Sequence, residues 1–273
     1  MNYKKIKLLP LAVCLLLIVP IFVSCAGSDP SEETSKTQDS VEDVLATPSD
    51  GIGRENVSST VPPAEDNGIV IYVDPGHGFM DGGCGEGLLA DGLLEKDVNY
   101  AIATYLRDEL ELLGYDTIMT RDDVTFPRGP ADDGNNLFNP NERAAYANTL
   151  DIDYYISIHV NSFVGDTTVR GMRIYFKETS KKIAPISEEV ALALGDAVYA
   201  EFPDDKKPVV VDHTNETSFA VIRETKAPAS LVEVGFATNA EDAANMVNPE
   251  WQKRVARALA LGIDAHFGAE DGD

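Results

Sequence analysis

Apolar positions recur at helical spacing in three long stretches of this 273-residue chain. Val98, Ile102, Leu106, Leu110 and Leu113 form one stripe, closed by Gly114, the residue type that most readily takes the left-handed turn ending a helix. Ile186, Val190, Leu194 and Val198 form a second. Trp251, Val255, Leu259, Ile263 and Phe267 form a third, opened by Asn248 and Pro249, with Trp251 as a core anchor. Two shorter helices rest on end signals. "NPNE" at 139–142 supplies an N-cap, a first-turn proline and a capping-box acid, and Asn239 opens another. Short β-branched or aromatic runs bounded by Gly, Pro or Asp read as strands at 69–73, 115–120, 154–159, 170–176, 219–222 and 230–234. Strand and helix mostly alternate, which predicts a single α/β domain with a mostly parallel sheet and helices on both faces. The link from 159 to 170 has no helix, which allows an antiparallel pair there.

Outside 68–268 the pattern changes. Lys4, Lys5 and Lys7 precede an apolar run of sixteen residues, Leu8 to Val23, and residues 1–24 have the layout of an export signal. The run ends in "FVSCAG", which resembles the lipobox of bacterial lipoproteins. On that reading Cys25 takes a lipid and becomes the mature N-terminus, anchored at the outer face of the cell membrane, although Phe22 stands where leucine is usual. Ordinary secretory cleavage after Cys25 or Ala26 is the alternative, and it leaves the protein free. Residues 26–66 hold ten acids against Lys36 and Arg54, with almost nothing large and apolar. They cannot bury enough surface to offset their ordering entropy, so 25–67 reads as an acidic disordered tether with a reach of roughly 35 Å. Residues 269–273 form an acidic tail. A formal charge of −24 excludes nucleic acid as a partner and argues against strong docking on anionic lipid or wall polymer. Beyond the signal only Cys25 and Cys84 remain, so a lipidated Cys25 leaves no internal disulfide and stability must come from the core.

In a sheet of this kind, ligands gather beyond the carboxyl ends of the strands. His77 follows the strand at 69–73, within "DPGHG" at 74–78, while His159 ends 154–159 and Glu233 lies at the end of 230–234. Glu95 joins them from the first turn of the helix after the glycine-rich loop 76–92. Two histidines and a carboxylate suit catalytic zinc, which keeps a fourth position for water, and a further carboxylate then acts as general base. Glu233 is expected to take the proton of that water and pass it to a leaving nitrogen. Gly76 and Gly78 are expected to let the backbone turn sharply and bring His77 to the metal. Each signal is weak alone. A histidine at a strand end is either a ligand or a hydrogen-bonded core residue, and "DPGHG" by itself fits a plain turn.

Other residues carry competing readings. Asn161, on the same strand face as His159, is a candidate to bond substrate or orient the site, or else a strand-end turn residue. Arg223 is a candidate to pair with substrate or with a carboxylate. Cys84 has no histidine fixed nearby except an expected ligand, so it reads as a small buried side chain rather than a nucleophile. His213 reads as a solvated or rim residue, and His266 as structural.

Taken in order, "IVIYVDPGHG", "GLLEKDVN", "TRDD", "NERAAYAN", "ISIHVNS", "GMRIYF", "VIRETKAPASLVEVGFATNAED" and the closing helix resemble the zinc-dependent N-acetylmuramoyl-L-alanine amidases over nearly all of 68–267. The resemblance implies a six-stranded sheet, one catalytic zinc per chain held by His77, Glu95 and His159, and Glu233 as the catalytic glutamate. The implied substrate is peptidoglycan, cut at the amide between the lactyl group of N-acetylmuramic acid and L-alanine. Three features depart from the pattern: Phe79 replaces a usual glycine, 122–140 is an extra acidic loop, and "VVVDHTNETSFAVIR" lacks a common Arg-Gly pair. None removes a ligand or the base. Two other readings stay open, a wall-binding or partner-activating lipoprotein without chemistry and a zinc peptidase cutting inside the stem peptide. Whether a protein activator is needed is not written in the residues.

Overall fold

A computed structural model describes residues 66–78, 81–84, 93–121, 139–177, 182–205, 209–213 and 219–268. The export signal, nearly all of the tether, Phe79, most of the 122–140 loop and the acidic tail lie outside the described residues. Twelve elements follow one another: β1 (Val70–Pro75), α1 (Glu95–Leu112), β2 (Asp116–Met119), α2 (Pro140–Ala147), β3 (Tyr154–Asn161), β4 (Met172–Phe176), α3 (Ala184–Glu201), β5 (Val209–His213), α4 (Ala220–Glu224), β6 (Ala229–Phe236), α5 (Ala240–Met246) and α6 (Pro249–Phe267).

The helices begin and end where local chemistry told them to. Gly114 takes φ +90° just past α1, a conformation that a side chain resists. Asn139 accepts from the backbone N–H groups of Asn141 and Glu142, and Glu142 reaches back to the N–H of Asn139. Asn239 caps α5 by accepting from the N–H groups of Glu241 and Asp242, and Asn248 caps α6 by accepting from that of Glu250, without the reciprocal acid bond. Trp251 is half-buried against the core, its ring 6.0 Å from that of Phe202.

The strands form one six-stranded sheet in the order β2-β1-β3-β6-β4-β5. All neighbours run parallel except β4 and β6. The chain does reverse after β3, as the helix-free link allowed, but β4 pairs with β6 rather than with β3. Side-chain alternation then divides the core. Ile71, Val73, Ile156, Ile158 and Val232 face α1, α3 and α6, whereas Tyr72, Tyr155 and Leu231 face Ala147 of α2 and Val221 and Ile222 of α4. Each such side chain contributes about 1.5–3 kcal/mol when taken from water.

Two strand expectations need correction. Residues 219–222, read as a strand, lie at the start of α4, and β5 at 209–213 stands where no strand was expected. "FAVI" is a short apolar run compatible with either period, and the left-handed backbone of Phe219 (φ +46°) redirects the chain into a helical turn. β5 is an edge strand with Val210 47% exposed, so it lacks the buried pattern that marks the central strands.

Asp74, the last acid of β1, is fully buried and bonded on all sides. Its carboxylate accepts from Arg143 Nη1 at 3.0 Å, Thr120 Oγ1 at 2.7 Å and Ser157 Oγ at 2.7 Å. Burial opposes the charge, but Arg143 and the two hydroxyls outweigh it and hold the carboxyl below its ordinary pKa. This knot ties β1, β2, β3 and α2 together directly beneath the loop that carries His77.

Candidate active site

β1, β3 and β6 lie side by side and parallel, so their carboxyl ends open on the same edge. His77 follows β1, and His159 and Glu233 are directly paired positions of β3 and β6. Glu95 is the first residue of α1, where the helix N-terminus favours a carboxylate. One ligand atom each from His77, Glu95 and His159 lies within 4.8 Å of the others. His77 Nε2 is 3.3 Å and His159 Nδ1 3.1 Å from Glu95 Oε1. Ligand atoms about 2.0–2.1 Å from a tetrahedral zinc stand about 3.3 Å apart, so the donor set and its spacing fit that ion.

The glycine before His77 has a different task from the one expected. A β-carbon on Gly76 would sit 2.3 Å from His159 Cε1, so its absence clears the space for that ring. The sharp turn falls on His77 itself, at φ +61°, with Gly78 following at +142°. A non-glycine residue held there costs of order 1–3 kcal/mol, a strain that the surroundings must impose. Arg121 supplies part of that: its buried guanidinium donates to the carbonyls of Pro75, Gly76 and Lys96, fastening the turn to the start of α1.

Glu95 is 1% exposed and held by donors from three segments. Oε1 accepts from Val160 N at 2.9 Å and Asn99 Nδ2 at 3.3 Å, and Oε2 from Cys84 N at 2.5 Å. Burial alone would raise its pKa, yet bonds from His159 and His77 hold it far below the carboxylate range. His159 is pushed down by burial, toward the neutral imidazole that a metal needs. His77 is lowered by burial but raised more by Glu95 and Asp81, ending above its ordinary value.

Glu233 is the opposite case. It is 7% exposed, its Oε2 is buried with no hydrogen-bond partner among the described residues, and burial, helped by the charge of Glu95, pushes it up to about 8. Both carboxylates and both histidines line one cavity of about 380 Å³, together with Arg143, Cys84, Asn161 and Phe219. A larger hollow of about 500 Å³ lies at the far edge of the sheet, beside the start of β3 and α3, and gathers no such cluster.

The remaining candidates sort clearly. Asn161 lines the cavity just past a register shift in β3, and its Oδ1 accepts from Ser162 N, a strand-end turn bond. Arg223 lies outside the cavity lining and pairs with Glu224 at 2.7 Å. Cys84 is half-buried, with Sγ directed at Val160 O at 3.3 Å, and burial pushes its thiol pKa up, away from nucleophilic use. His266 lies 3.8 Å from Glu189 at the far end of the domain, and His213 ends β5. Missed altogether were Asp81, Asn99, Arg121 and Arg143. Two of them had a local signal, since Asp81 follows His77, and Asn99 follows Glu95, at a spacing of four.

A family model described as N-acetylmuramoyl-L-alanine amidase matches residues 71–265. The germination-specific N-acetylmuramoyl-L-alanine amidase of Bacillus subtilis is 29% identical over 216 residues, covering 76% of this chain and 83% of that protein. Among solved structures, the amidase AmiC2 of Nostoc punctiforme superposes with a TM-score of 0.59 at 26% identity, over 74% of this chain and 99% of that one. The CwlD amidase of Clostridioides difficile, solved in complex with the GerS lipoprotein, shares the fold at a TM-score of 0.60 and 22% identity, over 74% of this chain and 99% of that one.

Proposed function

The chain belongs to the N-acetylmuramoyl-L-alanine amidase family, and from that premise we propose that it is a zinc-dependent hydrolase of peptidoglycan, cutting the amide between N-acetylmuramic acid and L-alanine. One observation carries the reading: His77, Glu95 and His159 offer clustered donors beside the buried carboxylate of Glu233, whose Oε2 has no hydrogen-bond partner among the described residues. His77, Glu95 and His159 are the residues that would hold the ion. When bound, zinc supplies Lewis acidity, which polarises the scissile carbonyl and acidifies the attacking water. Glu233 accepts a proton from that water at its free oxygen and returns it to the leaving nitrogen. A cation nearby lowers the pKa of Glu233, so the base ionises where it is needed. Asn161 lines the cavity, which supports its candidacy as a substrate contact, whereas Arg223 pairs with Glu224 outside the lining, which supports its reading as the partner of a carboxylate.

The named relatives that act on cell walls support an exported protein. No helix among the described residues is long and apolar enough to cross a membrane. On the lipobox reading a lipid on Cys25 attaches the protein to the membrane, with 25–67 as the tether that keeps the domain close to its substrate, and ordinary secretory cleavage leaves it free.

Digestion of purified peptidoglycan, followed by mass analysis, tests this. The expected products are stem peptides with a free L-alanine amine and a glycan with free lactyl carboxylates. Chelation stops release, added zinc restores it, and Glu233→Gln retains zinc without activity. Cuts inside the stem peptide point instead to a peptidase, and a zinc-free protein without hydrolysis to a wall binder. Release by the chelated protein refutes the zinc assignment.

A further inference from the structure

Among the described residues, Asp81 is the one acidic contact of the His77 ring that does not belong to the ligand cluster. Its Oδ2 lies 2.7 Å from His77 Nδ1, on the side of the imidazole opposite to Nε2, which faces Glu95. The carboxylate is itself held in place. Gly78 and Asp81 exchange two backbone hydrogen bonds of 2.9 Å, closing a tight turn, and Asp81 Oδ1 accepts from Gly83 N at 3.1 Å. Asp81 is therefore tied at its backbone and at its second oxygen, leaving Oδ2 for the histidine. A neutral imidazole has one N–H, and a carboxylate accepts but does not donate. Glu95 Oε1 is an acceptor too, 3.3 Å from Nε2, so it is a cation between Nε2 and Glu95 that would commit the Nε2 lone pair; the single N–H then goes to Nδ1, where Asp81 accepts it.

We propose that Asp81 is a positioning residue for the metal site: it fixes the tautomer and the ring direction of His77, so that Nε2 is presented to the ion shared with Glu95 and His159. The inference rests on the zinc reading above. It also accounts for the left-handed backbone of His77, since the turn that strains this residue is the one that brings Asp81 beneath its ring. Removing such a partner of a metal-bound histidine typically weakens metal affinity about 10–100-fold.

Zinc affinity of the intact protein, measured by competition with a chromophoric chelator, tests it in wild type, Asp81→Ala and Asp81→Asn. Asp81→Ala is expected to bind zinc about 10–100-fold more weakly. The melting temperature of the metal-free protein should stay near wild type, because the Asp81 side chain is 52% exposed. Asp81→Asn drops the charge but keeps one acceptor, and its affinity should fall between the two. Wild-type affinity in Asp81→Ala overturns the proposal, and so does Asp81→Asn as weak as alanine, which assigns the effect to charge alone. If Asp81→Ala melts early, the asparagine variant alone decides: a loss of about two- to tenfold supports the bond, and wild-type affinity or a larger loss overturns it. A wild-type protein that takes up no zinc fails differently, removing the parent reading and this one with it.

Discussion

Replacing Glu233 with glutamine is expected to stabilise the metal-free fold at neutral and alkaline pH while abolishing hydrolysis. The carboxyl has a pKa of about 8 in the fold, against 4.5 for an ordinary glutamate. Between these values the native state holds a proton that the unfolded chain has released, so stability falls as pH rises through that window. From pH 5 to pH 8 the loss amounts to roughly 3–4 kcal/mol. Glutamine does not ionise and escapes it. For a domain of this size each kcal/mol moves the melting temperature by about 2–4 °C, so the advantage of Glu233→Gln should widen by roughly 10 °C between those pH values. Any fixed cost of burying the amide is common to both pH values and cancels in the difference. The assay is thermal unfolding of both proteins across pH 5–8 with chelator present, so that no cation sits beside the carboxylate. Parallel curves for the two proteins would falsify the claim that Glu233 is held protonated by its surroundings.

Three further outcomes test separate parts of the structure. Gly76→Ala places a methyl group 2.3 Å from the His159 ring and should cost both zinc stoichiometry and at least 100-fold in hydrolysis, read by metal analysis and peptide release. Asp74→Asn leaves the Arg143 charge buried and uncompensated, at a cost of about 3–5 kcal/mol in urea unfolding. The lowered pKa of Asp74 means that its contribution is complete above the ordinary carboxylate range and is lost as pH falls below it, so the variant should lose part of the wild-type acid sensitivity. Arg223→Ala should leave hydrolysis within about twofold of wild type, as expected for a surface pair, and a larger loss would restore Arg223 to the substrate site.

What the residues disclosed in advance was whatever local chemistry decides. Asn139, Asn239 and Asn248 cap helices because a side-chain oxygen reaches backbone donors two or three residues on, and Gly114 ends α1 through its own backbone freedom. Strand order is not local. β5 exists because β4 offers it an edge, and β4 runs antiparallel to β6 through contacts 54–60 residues apart in sequence, for example Arg173 with Glu233. His77, His159 and Glu233 were legible from the strand-end rule and Glu95 from the first turn of the following helix, whereas Arg121 and Arg143 were not. Their function depends on which carbonyls and carboxylates the fold brings within hydrogen-bond reach, and no spacing in the chain records that. "DPGHG" was half legible: small residues were needed, but the crowding at Gly76 comes from a ring 83 positions later.

Two glutamates with the same side chain face one cavity, and composition cannot tell which holds a metal and which moves a proton. Their environments differ in a way that can. Glu95 receives backbone donors from Cys84 and Val160, an amide from Asn99, and two histidines, all of which favour the charged form and leave its oxygens fixed. Glu233 sits in the middle of the sheet's most buried strand, in the field of Glu95, with one oxygen unbonded. A permanently ionised, immobile carboxylate suits a ligand, and one that exchanges its proton near neutrality suits a base. The fold enforces this separation by placing one residue at a helix N-terminus and the other on a buried strand. Exchanging the two roles would therefore require new backbone surroundings, not new side chains.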